Sequence, residues 1–595
     1  MKIKSVSIIL LLVCTAVLLL LVSCGDSQTY NSSVETPQTS ESTPSAPALS
    51  GKFQNSVNWR YDPETSTFYF CGTGKIESQN PVSSDNPARK LLSQAEHICF
   101  EEGITDATQY LFYSYYKMKT LTLPSSYIGE LPNTYNIEKF IVTDGNPKYR
   151  TDEYGVIFNT EKSEIVRFPC ASSYETYNIP NGTKDIADGA FDKAKNLCFV
   201  TVPQSMESIS YSDFKKSGVC VNPSNWEDGI LYIDDRLVEV DNDTVAEHIE
   251  VREGTRVING HAFVKCENIK SITIPDSVEI IENQAFDSCT SLEKIYIGSG
   301  VKEIGIAPFV FEIEGGPCEK LEEIEVSKDN KHFVSVDGVL YNKDMTTLIQ
   351  YPLGKIQDEF VIPDSVTEIG YGAFVYANNL KKLIFGKGIP VIDDVLIFGC
   401  DNLETVILPD TVTKIDGGAF KFSGIKYIDI PDSVTYLGCE AMTSCHRLET
   451  INIGKGVSEI HEWAINGSSL KEINVDPENE YFTGKDGVLY SKDLTELYLY
   501  PDSKKGNEFY IPETVVTIKD GAFRNAKNLK KLHIGKNVKK IEINNFYGSI
   551  YKDDVFIEHI TPYEIYFYGT EETWESLFTE KSYLNDIDKS KVHFV

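Results

Sequence analysis

A motif that returns every 22 or 23 residues constrains this chain more than any other feature. The segment from Asn268 through Pro275 to Ala285-Phe286 reappears in part at Asn379, in the run from Asp364 to Ala373-Phe374, and from Pro409 to Ala419-Phe420. Phe191 to Phe214, Phe263 to Phe286, Phe286 to Phe309 and Phe523 to Phe546 are each 23 residues apart, and Phe420 to Met442 and Met442 to Ala464 are 22. A fixed period of this length is the signature of stacked units that cannot bury an apolar face alone, so the expected fold is a solenoid.

Each part of the unit has a mechanical reason. In Leu292-x-x-Ile295-x-Ile297 the apolar residues alternate with Tyr296, which predicts a short strand with one buried face. A proline often follows, as at Pro180, Pro203, Pro275, Pro363, Pro409, Pro431 and Pro512. It lacks the donor a strand ladder needs and ends the strand. Val278 and Ile281 then turn inward, and the Ala-Phe pair places a small residue beside a large ring across the coil. Cys266, Cys289, Cys318, Cys400 and Cys445 stand three residues before the apolar residue that opens the next strand, where other units carry Ala194, Ala377 or Ala526. Exchange with alanine predicts a small buried slot and free thiols. Metal or disulfide frameworks want clustered His or C-x-x-C spacing, which is absent.

A second motif interrupts the array at Asp228-Gly229, Asp337-Gly338 and Asp486-Gly487, each followed by an apolar pair and Tyr, with a looser copy at Tyr154-Gly155. Three copies continue to an aromatic-Pro pair, at Phe168-Pro169, Tyr351-Pro352 and Tyr500-Pro501. The glycines predict tight turns, so inserts near 145–170, 222–245, 327–355 and 476–503 are expected to be small hairpins lying along the solenoid. The calcium-loop pattern is missing, and these aspartates read as turn formers.

At the N-terminus, Lys2 and Lys4 precede an apolar run from Ile8 to Val22 that meets Ser23-Cys24. The run is shorter than the about 20 residues that span a bilayer, and no positive stop-transfer cluster follows it. It therefore reads as a signal segment over residues 1–23. The segment resembles the leader of bacterial lipoprotein precursors, which implies that Cys24 carries the lipid and that the membrane is met through that lipid only. Residues 24–50 are rich in Ser, Thr and Pro with almost no bulky apolar side chain, and are expected to form a disordered tether. The formal charge of −32, spread without a basic block, argues against a nucleic-acid partner.

Taken together, the unit L-x-x-I-x-I-P-D-S-V-x-x-I-x-x-x-A-F-x-x-C, the Asp-Gly inserts and two end segments resemble BspA-type leucine-rich-repeat surface proteins. Val57-Asn58-Trp59 leading to Gly72-Thr73-Gly74 is similar to the family's N-terminal cap, and Glu564 through Gly569-Thr570 to Trp574 is similar to its terminal repeat. The resemblance implies a right-handed leucine-rich-repeat superhelix with one short strand per 22–23-residue turn, β-hairpin insertions and a β-rich N-terminal cap. It places the cap and degenerate first repeats at 51–118, the solenoid at 119–560, and the terminal repeat with a C-terminal cap at 561–595. It further implies display outside the cytoplasm on a cell surface, with adhesion as the usual assignment.

One strand per turn aligns the outward residues into columns. One column runs through Thr273, Tyr296, Glu325, Ile384, Ile407, Asp429, Asn452, Asn474 and His533, and its neighbour through Lys294, Lys382, Thr405 and Tyr427. Ile384 and Ile407, with Tyr427 close by, are expected to form an exposed apolar patch for a partner protein, unless the 327–355 insert covers it. Tyr296, Asp429 and Asn452 are the polar and aromatic candidates, which suit a carbohydrate alternative; a passive structural surface role is the other. The expected partner is a host or neighbouring-cell surface protein or glycan, met by a monomer. The nine His are scattered, and no zinc-protease, nucleophile-elbow, Walker or dinucleotide motif occurs, so neither catalysis nor a cofactor is expected. His461-Glu462-Trp463, where other units place apolar packing, fails the zinc spacing.

Overall fold

A computed structural model of the chain describes residues 49–595 apart from 55, 78–86, 113–114, 135, 310–315, 467–468, 547, 553–554, 561–562 and 581–586, with side chains undescribed over 547–562. The expected signal segment, Cys24 and most of the tether lie outside the described residues. Residues 49–595 form one compact unit, a solenoid of about 20 turns with repeats of about 23 residues. Among the described residues no helix is long and apolar enough to cross a membrane.

Each turn contributes two strands. The longer one follows the L-x-x-I-x-I pattern, as in Ser271–Ile274 and Lys294–Ile297, which pair in parallel with Ile272 opposite Ile295 and Thr273 opposite Tyr296. Pro275 lies just past the strand end, where its missing donor stops the ladder. The shorter one is two residues long, as in Val257–Ile258, Ile280–Ile281 and Glu303–Ile304, and forms a second parallel stripe. Between them the Ala-Phe pairs close the coil. Ala285 and Phe286 are buried, and the Phe286 ring lies 5.3 Å from both Phe263 and Phe309.

The cysteine slot is a small buried site, as expected. Cys266, Cys289, Cys318, Cys400 and Cys445 are buried, and the eleven described cysteines are all free. Four of these thiols donate to the phenylalanine carbonyl of the preceding turn: Cys289 to Phe263 (3.2 Å), Cys318 to Phe286 (3.3 Å), Cys400 to Phe374 (3.0 Å) and Cys445 to Phe420 (3.1 Å). Burial pushes the Cys400 thiol up to about 12 and Cys445 up to about 11, so these sulfurs stay protonated and inert.

Each insert is a three-stranded meander, one strand more than a hairpin. In the third, Phe333–Val336, Val339–Asn342 and Thr347–Gln350 run antiparallel, and the last pairs in parallel with Glu368–Ile369 of the short-strand stripe. Asp337 and Gly338 both have positive φ, +51° and +77°, which is the backbone a two-residue turn of this hand requires. The aromatic-Pro pairs join the ring ladder: Phe168 stacks on Phe191 at 5.1 Å, Tyr351 on Phe374 at 5.3 Å and Tyr500 on Phe523 at 5.4 Å.

A buried asparagine opens three of the inserts. The Asn330 amide donates to the carbonyls of Gly298 (2.9 Å) and Val301 (3.0 Å), while its oxygen accepts from the His332 and Phe333 amides at 2.8 Å. Asn146 and Asn479 repeat that arrangement, donating to Pro124 and Tyr127 and to Gly454 and Val457. These side chains satisfy four backbone groups at the point where the chain leaves the repeat, where regular pairing cannot.

Candidate binding face

The inserts divide the long-strand face into separate sheets. The first runs from the antiparallel cap strands Ser50–Gln54, Val57–Asp62 and Thr67–Gly72 to Lys139–Val142. It is followed by Thr176–Asn178 with Phe199–Thr201, by four strands from His248–Glu250 to Glu323–Val326, by six from Glu359–Val361 to Glu472–Val475, and by a last sheet from Glu508–Tyr510 to Val592–Phe594. At three of the four breaks the insert's turn glycine takes the hydrogen bond that a following strand would have taken. The Phe140 amide donates to Gly155 at 3.3 Å, Ile324 to Gly338 at 3.0 Å and Ile473 to Gly487 at 3.0 Å.

Ile384, Ile407, Tyr427, Asp429 and Asn452 therefore share one six-stranded sheet, whereas Tyr296 lies in the preceding four-stranded sheet beyond an insert. Ile384 pairs directly with Ile407, Thr405 with Tyr427, and Asp429 with Asn452. Val361, which sequence reading left out of the column, pairs with Ile384. Its strand follows an insert and lacks the opening leucine; the Phe360-Val361-Ile362-Pro363 spacing is the signal that marks it. Exposure is 53% at Val361, 43% at Ile407 and 46% at Tyr427, and Ile384 is half-buried. The 327–355 insert leaves this patch open; its turn lies instead against Ile324 of the preceding sheet.

The charges beside the patch are paired between turns. Lys382 meets Glu359 at 3.0 Å, Lys426 meets Glu404 at 2.8 Å and Lys471 meets Glu449 at 2.7 Å. Such exposed pairs contribute little stability, about 0–1 kcal/mol each, but they neutralise the flanks of the apolar column. Beyond it the polar residues form a ladder, in which Asn452 donates to Asp429 at 2.6 Å and Asn474 to Asn452 at 2.9 Å. Two inter-turn hydrogen bonds are thereby made within the ladder.

Tyr296 borders an open groove of about 750 Å³ walled also by Glu322, Glu325, Asp337 and Lys355. Nearby Lys294 bridges Glu323 at 3.1 Å and Glu325 at 2.8 Å, and those two hydrogen-bonded carboxylates raise its pKa. His533, expected on the exposed column, is buried in a stack between Tyr510 (4.0 Å) and Tyr566 (4.9 Å), with Nε2 at 2.8 Å from Glu508. The hydrogen bond from His533 lowers the pKa of Glu508. Tyr510, Tyr566 and His593, in register with it, were not singled out by sequence. Among the described residues no three His, Cys, Asp or Glu are arranged to hold a metal ion.

The family model described as BspA type leucine rich repeat region matches six copies across residues 166–236, 241–347, 354–485 and 496–591. The chain belongs to this family. Its fold is one that typically serves as a non-enzymatic binding scaffold. No curated protein matches the sequence. Among solved structures, the pneumococcal vaccine antigen PcpA is 20% identical, with 83% of this chain and 96% of that one covered and a TM-score of 0.38. A leucine-rich repeat protein of Eubacterium ventriosum is 18% identical over 84% of this chain and 88% of its own, with a TM-score of 0.28. One from Bacteroides ovatus is 17% identical over 82% and 98%, with a TM-score of 0.29.

Proposed function

We propose that this protein is a surface-displayed binding protein, held to the membrane by a lipid on Cys24, which docks a partner protein on the sheet from Glu359–Val361 to Glu472–Val475. The observation that carries this reading is the unbroken apolar column Val361, Ile384, Ile407 with Tyr427 one turn on. Strands about 4.8 Å apart give the three aliphatic residues a ridge about 10 Å long. Covering the exposed parts of these side chains contributes about 2–4 kcal/mol, enough to anchor an interface that other contacts complete. The self-bonded Asp429–Asn452–Asn474 ladder favours a protein over a glycan on this sheet, because a sugar would have to displace bonds already made.

The test is a protein and glycan array probed with residues 51–595, followed by the double variant Ile384→Asp and Ile407→Asp. A saturable protein partner is expected, with affinity reduced at least about tenfold in the variant, since two carboxylates in an apolar contact cost more than 1.4 kcal/mol. Unchanged affinity with circular dichroism intact would remove the assignment of this sheet.

A further inference from the structure

The short-strand stripe also breaks at the inserts, and one break opens into a cavity. The stripe ending in Glu459–Ile460 and the sheet containing Glu496–Leu499 and Thr517–Ile518 are separate, and a cavity of about 200 Å³ lies between them. Trp463, Tyr498, His461, Glu462, Lys519 and Asp520 line it. The Arg524 guanidinium lies 4.5 Å over the Trp463 ring and is not part of the cavity wall. The Asp520 carboxylate accepts from Asn544 at 2.9 Å, and Asp520 and Trp463 both line the cavity. Burial raises the pKa of Asp520, and the Glu462 charge acts in the same direction. The Lys519 ammonium lies 3.1 Å from Glu542 and over the Tyr498 ring at 5.8 Å.

The array supplies its own control. At the corresponding junction of the 327–355 insert, Gly305, Ala307, Gly370 and Tyr371 stand where this one has His461, Trp463, Lys519 and Asp520. The fold therefore does not require the aromatic and charged set. Trp463 also occupies the residue before the Ala-Phe position, where the backbone is left-handed in turn after turn: Gly372, Gly418, Gly521, Gln284, Ala307 and Glu440 have positive φ there, and Trp463 has +66°. His261, Val395 and Asn544 take the same conformation at their turns, so Trp463 is distinguished by the size of its ring and not by its backbone. A bulky ring in a region that favours glycine costs about 1 kcal/mol or more. A comparable cost is met at Val395 and at the other non-glycine equivalents, so the case for a ligand rests on the side chains that line the cavity.

We propose that this cavity is a binding site for a single neutral hexose or N-acetylhexosamine ring, either free or at the end of a glycan. The volume is below the about 300 Å³ at which pockets for drug-sized ligands begin, and matches one ring. An indole and a phenol offer apolar surface to the C–H face of a pyranose, while carboxylates, an imidazole and an ammonium offer acceptors and donors to its hydroxyl rim. Two carboxylates against one ammonium, itself paired to Glu542, disfavour an anionic sugar. The site is remote from the Ile384–Ile407 column in chemistry and in sheet, so it stands or falls independently of the protein-docking reading.

The experiment is saturation-transfer NMR with the full-length chain in detergent against glucose, galactose, mannose, N-acetylglucosamine and N-acetylneuraminic acid, then against oligosaccharides ending in whichever ring binds. At least one neutral ring should bind saturably, and its affinity should fall at least about tenfold both in Trp463→Ala and in the nearly isosteric Asp520→Asn. The pair Ile384→Asp and Ile407→Asp should leave it unchanged. Tighter binding of the oligosaccharide identifies a glycan end as the source, and equal binding identifies the free sugar. Absence of binding by every neutral ring, preference for N-acetylneuraminic acid, or full affinity in either cavity variant overturns the proposal.

Discussion

Replacing Asn330 with alanine tests how the inserts are grafted onto the repeat. The side chain is fully buried and makes four hydrogen bonds of 2.8 to 3.0 Å, two given to carbonyls of the preceding turn and two taken from amides of the insert. Alanine strands all four backbone groups. Each buried group without a partner costs about 1–3 kcal/mol, and water entering the vacated space recovers part, so a loss of about 3–5 kcal/mol is expected. A repeat array need not unfold in one step, so the loss is best read locally by amide hydrogen exchange with mass spectrometry. Protection should fall over 298–301 and 330–342 and stay unchanged in the first sheet. Asn330→Asp supplies the sign: its carboxylate keeps the two acceptor bonds but turns against the Gly298 and Val301 carbonyls, so it should be damaging at neutral pH and milder in acid, where the group is protonated. Exchange of Asn330→Ala within about 0.5 kcal/mol of the parent, or a pH-independent Asn330→Asp, would refute the reasoning.

Glu239, on the strand Arg236–Val240, has its carboxyl pushed up to about 7 by burial, from an ordinary value of 4.5. A raised folded-state value means that the folded chain holds the proton longer, so stability is full below the ordinary value and falls as pH rises through about 7. Glu239→Gln removes the charge that burial penalises, and should stabilise the protein by about 2 kcal/mol at pH 8 and not at all at pH 4; urea melts at the two pH values check this, and an equal effect at both contradicts it. The buried thiols should resist alkylation by iodoacetamide at pH 8 until the chain unfolds, with Cys400, Cys445 and Cys289 identified by peptide mapping. Rapid labelling of Cys400 in the folded state would show that its slot opens.

Much of the fold was legible because a repeat states its core many times over. The Ala-Phe pair, the closing proline and the cysteine column each recur at one spacing, and each does in the structure what its chemistry requires. The aromatic-Pro pairs were visible as a pattern, but their purpose was not: that Tyr351 and Tyr500 extend the phenylalanine ladder depends on where the third strand of an insert docks. The asparagines that open the inserts stand three residues before an aromatic, at Asn146 and Tyr149, Asn330 and Phe333, and Asn479 and Phe482. That spacing was available in the sequence, yet asparagine is common in loops, and only burial shows that these three are anchors. The candidate site was legible as columns and not as sheets. Spacing aligns Tyr296 with Ile384, but no local property of Asp337-Gly338 shows that its turn bonds back to Ile324 and separates the two. The His533 stack was missed for a related reason, since its ring is enclosed by neighbours from strands whose pairing spans the 548–560 hairpin.

The turn glycines that bond back to Ile324 and Ile473 bear on how such a chain can change over evolutionary time. A sheet that simply continued would expose raw edges wherever it was cut. At three of the four breaks the sheet is finished by a turn in this way, so exchanging a stretch bounded by such turns would leave the adjoining faces intact. Exchange of such a block would alter one strand face and leave the next unchanged.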